Sequence, residues 1–319
     1  MSKTTASWRG AHWRPQDVQL SHEDWITPVT RDVMVTLGTR EVAADIAGFQ
    51  ALATLHGQIS EYEHTKIGID CSSLRWIDAQ LGACLMTIVN SCREKGNEVI
   101  IYNISFNIQT ILKKNKTLQG SLSDNYGTTI PVTGFKLDNE VEFSRYCSSN
   151  ILRPEVPKMS RGLREKFLEG LDELFANSSL HSKAKIPVFA GGQFFPKKDR
   201  LTFVISDAGQ GISGSLGAAG LHFSSTSDAI DWAMQMNNSA RSGDIPGGLG
   251  LGILQEFVKL NGGCLLVCSH DGYWELRGNR VSKHDLRGIF PGTAVSLEIN
   301  TADTRSYHMA SRVNPHEIW

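Results

Sequence analysis

Two apolar runs, IPVFAGGQFF at 186–195 and LTFVIS at 201–206, flank the charged turn PKKDR, and no other feature limits the fold as much. Strand-forming runs joined by so short a polar link make a hairpin, and hairpin strands are antiparallel. A doubly wound parallel sheet is thereby excluded for this half of the chain. A helix over about 160–180 precedes the hairpin, with Leu163, Phe167, Leu171 and Leu174 as its apolar stripe. After it come a glycine- and serine-rich region, 211–247, with the helical segment SDAIDWAMQM inside it, a helix over 251–260, and the strands CLLVCS and AVSLEI. Helices laid on a mixed sheet give an α+β plan.

The first half follows a different rhythm. VMVTL, KIGID and EVIIYNI read as strands, while Leu81, Cys84, Leu85, Ile88, Val89 and Cys92 form one face of an amphipathic helix. The expected organisation is an N-terminal arm over 1–27 carrying Trp8, Trp13 and Trp25, and a small α/β domain over 28–118. A turn-rich connector over 119–154, a second domain over 155–300 and a tail over 301–319 complete it. With 319 residues, 40% of them hydrophobic, the chain can bury a core of two-domain size. Its 32 basic and 33 acidic residues nearly cancel, so no global field favours a nucleic-acid or anionic-membrane partner. No run approaches the roughly 20 apolar residues of a membrane span, and the N-terminus has no apolar segment of signal-peptide type, so a cytoplasmic location is expected. The six cysteines include no C-x-x-C pair and lie mostly in apolar patterns, as reduced core thiols do. Cys264, Cys268 and His270 have a metal-like spacing on one strand but no clear fourth ligand.

Chemistry concentrates in three places. The first is PGGLGLGIL, Pro246 to Leu254, where glycines run directly into apolar helical sequence. Asp271 lies about 20 residues on, as a dinucleotide-binding acid would. The spacing Gly248, Gly250, Gly252 is nonetheless G-x-G-x-G, and NNSARSGDIP before it is no buried strand. A Walker loop is excluded because the chain has no Gly-Lys pair. What survives is a helix N-terminus, whose free N–H groups favour an anion. The second place is LDELFANSSLHS, where Glu173 and Asn177 stand one turn apart with His181 further along that face. The third is FVISDAGQGI: a strand ends at Asp207 and turns through Gly209 and Gly211, which lets a carboxylate face a cleft while backbone approaches a flat ligand.

In this order, with PGTAV opening the last strand, the motifs resemble the Bergerat-fold (GHKL) ATP-binding superfamily over roughly 155–300. That superfamily contains DNA gyrase, heat-shock chaperones, histidine kinases, MutL and the anti-sigma-factor serine kinases. The resemblance implies a two-layer α/β sandwich binding ATP and Mg2+. Asp207 would accept the adenine amino group, with Gly209 and Gly211 in its turn and Thr293 helping through water. Asn177 would be the Mg2+ ligand, and Glu173 would orient or deprotonate the attacking water. Gly248, Gly250 and Gly252 would wrap the phosphates, with 212–247 as a lid. His181 and Arg241 are further phosphate contacts on this reading. A histidine-bearing helix pair and a transducer domain are missing, which points to the small regulatory members of the anti-sigma kinase kind. Residues 30–118 resemble a STAS domain, the fold of anti-sigma-factor antagonists. Where switched antagonists carry a serine after the turn aspartate, Asp78 is followed by Ala79 and Gln80.

The expected function is therefore that of an ATP-dependent regulatory protein with slow hydrolysis, acting on a protein partner through the STAS-like face or the Trp-bearing arm. A homodimer is a further form of assembly in view. The rivals are a serine kinase acting on a separate STAS partner and a binding module that never hydrolyses ATP.

Overall fold

The computed structural model describes residues 33–120, 122–235 and 249–308. The first part runs β1 (Val33–Thr36), β2 (Glu41–Val42), α1 (Ile46–Ile59), β3 (Lys66–Asp70), β4 (Trp76–Ile77), α2 (Gly82–Glu94), β5 (Glu98–Tyr102) and α3 (Phe106–Lys114). Strands β1, β3 and β5 pair in parallel in that order. Parallel neighbours need a long crossover instead of a tight turn, and α1 and α2 provide the two crossovers. Asp45 caps α1 by accepting the Gly48 N–H at 2.9 Å, which satisfies one of the donors a helix start leaves free.

The second part runs β6 (Thr129–Phe135), α4 (Glu140–Asn150), α5 (Arg161–His181), β7 (Val188–Phe195), β8 (Arg200–Asp207), α6 (Gly211–Ala218), α7 (Thr226–Ala233), α8 (Leu249–Asn261), β9 (Cys264–Ser269), β10 (Gly272–Arg277), β11 (Arg280–Asp285) and β12 (Thr293–Asn300). Its seven strands form one sheet in the order β11-β10-β9-β12-β8-β7-β6. The chain is thus α+β, a parallel three-stranded sheet with helices followed by a seven-stranded antiparallel sheet with helices.

Three expectations need correction. The large sheet is antiparallel at every pairing, not mixed. Strands β8 and β9 do point the same way, but β12 inserts between them and pairs antiparallel with both. The segment 119–154, read as an irregular connector, contributes the edge strand β6 and the helix α4. The third concerns the surroundings of the large sheet: helices of the second part cover one face, and helices of the first part cover the other. On one face Phe167, Leu171, Leu254 and Phe257 of α5 and α8 pack on Ile205, Val267 and Trp274. On the other, Phe49, Leu85 and Ile88 of α1 and α2 share a buried cluster with Phe189, Val204 and Leu266, and also with Ile67 and Val99 of the parallel sheet.

That arrangement explains α2. Its buried residues run almost unbroken from Gly82 to Cys92, and a helix buried all round is one enclosed on several sides. Here the enclosure is a sheet on either side. The turn at Asp78 is enclosed as well. The Asp78 carboxylate accepts from the Ala44 N–H at 3.0 Å, Trp76 Nε1 at 3.1 Å and Arg200 Nη2 at 3.3 Å, the last from the first residue of β8. Ala79 and Gln80 behind it are buried.

Candidate functional site

Strand register builds the site. Asp207 at the end of β8 pairs with Thr293, Thr293 pairs with Ser269 at the end of β9, and Ser269 pairs with Gly272. Side chains alternate along a strand, so these positions share the face on which Ile205, Val295 and Val267 meet the helix layer. An acid and two hydroxyls thus form a row at one end of the sheet, beneath α5.

Ser178 on α5 reaches the row and donates to Asp207 Oδ2 at 2.9 Å. The Ser269 hydroxyl shares a 3.0 Å hydrogen bond with Thr293 Oγ1 and accepts the Ile212 N–H at 2.9 Å, which fixes the start of α6. Asp207 is buried, and its Oδ1 has no hydrogen-bond partner. Burial raises the Asp207 pKa to about 7, partly offset by the Ser178 hydroxyl and by the nearby Thr293 and Gly209 amides. A buried acceptor left open is costly, of order 1–3 kcal/mol, and such an atom calls for an explanation in function or packing.

The turn after Asp207 depends on glycine in a way that spacing alone does not reveal. A Cβ on Gly209 would lie 2.3 Å from the Ser182 backbone oxygen, so this glycine lets the turn pack on the end of α5. Gly211 has φ +67, in the left-handed region that side chains disfavour. Gly292 lies under the same turn, and a Cβ there would come within 2.3 Å of the Asp207 carbonyl oxygen and 2.4 Å of the Gly209 nitrogen. Gly292→Ala must push backbone apart, with an expected loss of about 1–3 kcal/mol in urea unfolding. A variant as stable as the parent would mean that the turn yields freely.

Helix α8 packs on the same face of the sheet. Asn261 at its last turn donates to the Asn300 carbonyl at 2.9 Å, at the end of β12 away from Thr293. Packed along the sheet, the helix therefore brings its first turn back toward the Asp207 row. Gly250 and Gly252 lie within that first turn, which carries no acidic residue of its own.

Of the residues singled out in the sequence, Asp207, Gly209, Gly211 and Thr293 therefore come together. Asn177 precedes Ser178 on α5. Glu173 lies one turn earlier and lines a cleft of ≈ 410 Å³ with Glu140, Ser144, Glu169 and Asp172, between α4 and α5. His181 is the last residue of α5. Arg241 and Gly248 lie outside the described residues. Among the described residues no group of three or more His, Cys, Asp or Glu is placed to hold a metal ion. Cys264 and Cys268 point into the core between α2 and the large sheet, while His270 Nε2 meets the Gly209 carbonyl at 3.2 Å. Burial raises the thiol pKa of both cysteines, to about 12 for Cys264. Ser178, Ser269 and Gly292 are the site residues that sequence reasoning missed; Ser178 had one available signal, its place beside Asn177. No protein-family model matches the chain, and a search of curated proteins finds no match.

Proposed function

We propose that the protein binds Mg-ATP at the Asp207 row and uses it as a switch that governs binding to a protein partner. The observation that carries this reading is a buried aspartate whose Oδ1 has no hydrogen-bond partner, aligned with two hydroxyls at one end of the sheet. An acceptor kept from water suits the amino group of an adenine ring, because the ligand supplies the missing donor. With Oδ2 engaged by Ser178, one oxygen is open, which matches a single N–H. Asn177 offers a hard oxygen to Mg2+, and the first turn of α8 offers N–H groups to phosphate. Glu173 is the candidate to orient water for slow hydrolysis.

A path from this site to the first part of the chain exists in α2. Thr87 donates to Ser206 Oγ at 2.9 Å, one residue before Asp207, and Ser91 and Glu94 line a ≈ 260 Å³ cavity with Ala208, Gly209 and Gln210. A shift of the turn on ligand binding is therefore felt by α2. The STAS-like turn at Asp78 is buried, so the partner surface belongs elsewhere on the molecule.

The test is the pH dependence of ATP affinity. The accepting form is the carboxylate, and its pKa is about 7, so binding must release a proton below that value. Affinity should fall about 10-fold from pH about 8 to about 6, measured by calorimetry, and Asp207→Asn should flatten the profile. Absence of measurable ATP binding at either pH removes the proposal.

A further inference from the structure

Residues 286–292 join β11 to β12 without regular secondary structure, yet they are held at both ends. At one end they lie on α1. Gln50 Oε1 accepts the Arg287 N–H at 2.8 Å, and the His56 ring donates from Nδ1 to the Ile289 carbonyl. A Cβ on Gly288 would come within 2.8 Å of the Ala53 carbonyl, so the segment rests backbone to backbone on the helix. At the other end they lie under the Asp207 turn. There Gly292 packs on the Asp207 carbonyl and the Gly209 nitrogen, and its own carbonyl accepts the His270 N–H at 3.0 Å.

We infer that residues 286–292 form a strap by which α1, in the first part of the chain, positions the Asp207 turn in the second, with Gln50 and His56 as positioning residues. The two tight approaches, at Gly288 and Gly292, are only four residues apart, so no slack loop separates them. Between them Pro291 fixes its own φ and confines the preceding Phe290 to extended backbone, which makes the link stiff. Phe290 touches both anchors. It is fully buried, edge-on to Phe49 of α1 with ring centroids 6.3 Å apart, and its N–H donates to the His270 carbonyl at 3.0 Å. The His270 ring meets the Gly209 carbonyl in turn, which closes the chain of contacts from helix to turn. A displacement of α1 against the large sheet is therefore passed to residues 207–211 instead of being absorbed. This route is separate from the α2 contact at Ser206, and it concerns the shape of the turn whatever ligand the turn serves.

Amide hydrogen exchange of the full chain, read by NMR, tests it with two N–H groups of the turn as reporters. Gln210 donates to the Ser182 carbonyl at 2.7 Å, and Ile212 donates to Ser269 Oγ at 2.9 Å. The double substitution Gln50→Ala with His56→Ala removes both side-chain pins, and alanine is the best helix former, so α1 itself is not weakened. Both reporters should then exchange at least about 5-fold faster, while amides of β3 and β12 stay within about 2-fold of the parent. Gly288→Ala, which forces the strap off Ala53, should give the same pattern. Gly57→Ala, on α1 with nothing within 4 Å of its Cβ, should leave both reporters at the parent's rates. Parent rates at Gln210 and Ile212 in the double variant overturn the inference. So does an acceleration that β3 and β12 share, which is a general loss of stability, or one that Gly57→Ala produces as well.

Discussion

Replacing Asp207 by Asn is expected to move stability and ligand affinity in opposite directions. The carboxyl is buried, and its pKa of about 7 stands well above the ordinary aspartate value of about 3.9. Between those values the unfolded chain has released the proton and the native one has kept it. Stability therefore falls as pH rises from about 4 through about 7 and stays low above that. The amide carries no charge and still accepts from Ser178. At pH about 8 the variant should gain about 1–3 kcal/mol, and near pH 4, where the protonation states differ little, almost nothing. The same change exchanges a charge-assisted acceptor for an amide that can present its NH₂ to the adenine amino group. ATP affinity should drop by about 1.5–3 kcal/mol, roughly 10- to 150-fold. Thermal melts at the two pH values and calorimetry with Mg-ATP read both effects. A group strained for the sake of a ligand behaves in this opposed way. A variant destabilised at both pH values would make Asp207 a plain anchor for Ser178, and an unchanged Kd would remove the adenine assignment.

What could be read from the sequence, and what could not, follows from the range of each signal. The β7–β8 hairpin was legible because its two strands and its turn are contiguous, and the α2 stripe because helical periodicity is local. That α2 is buried on nearly all sides was not, since the second surface enclosing it comes from Phe189, Val204 and Leu266, a hundred residues and more away. Strand β6 was obscured by Pro131 and Gly134, which break an apolar pattern and are tolerated because β6 is an edge strand with an irregular register at that point. In β11 every residue is exposed, so no alternation exists to be seen, although the Gly278-Asn279 link to β10 is a strong hairpin signal. In the site, an acid at a strand end before two glycines made Asp207 conspicuous. Ser178 and Ser269 were invisible because a serine that donates one hydrogen bond leaves no pattern in the chain. Gly209 also has a packing role that the spacing does not show. Its missing Cβ makes room for Ser182.

Asp78→Ala is the second large effect, and it tests whether the two halves stand or fall together. The carboxylate joins the Ala44 amide, the Trp76 indole and the Arg200 guanidinium, and Arg200 also holds Glu298 at 3.1 Å and lies over the Phe195 ring at 4.5 Å. Truncation leaves two N–H donors without an acceptor and a guanidinium, 22% exposed, with only one of its two carboxylates. Removing one member of such a pair costs far more than the pair itself contributes, because the remaining charge is stranded, and the expected loss is about 3 kcal/mol. The form of the unfolding curve says more than its midpoint. Phe49, Leu85 and Ile88 belong to the same buried cluster as Phe189 and Leu266, so the apolar surface that α1 and α2 would expose on separating is part of the core of the large sheet as well. Independent unfolding of residues 33–118 would open that core, and the two halves should lose structure in one transition. Tryptophan emission, which includes the buried Trp274 of β10, and far-UV circular dichroism should then give the same urea midpoint in the parent and a common, lower one in Asp78→Ala. Two separated transitions in the parent would show the halves to be autonomous, and a loss under about 1 kcal/mol in the variant would reduce the Asp78–Arg200 contact to an ordinary surface pair.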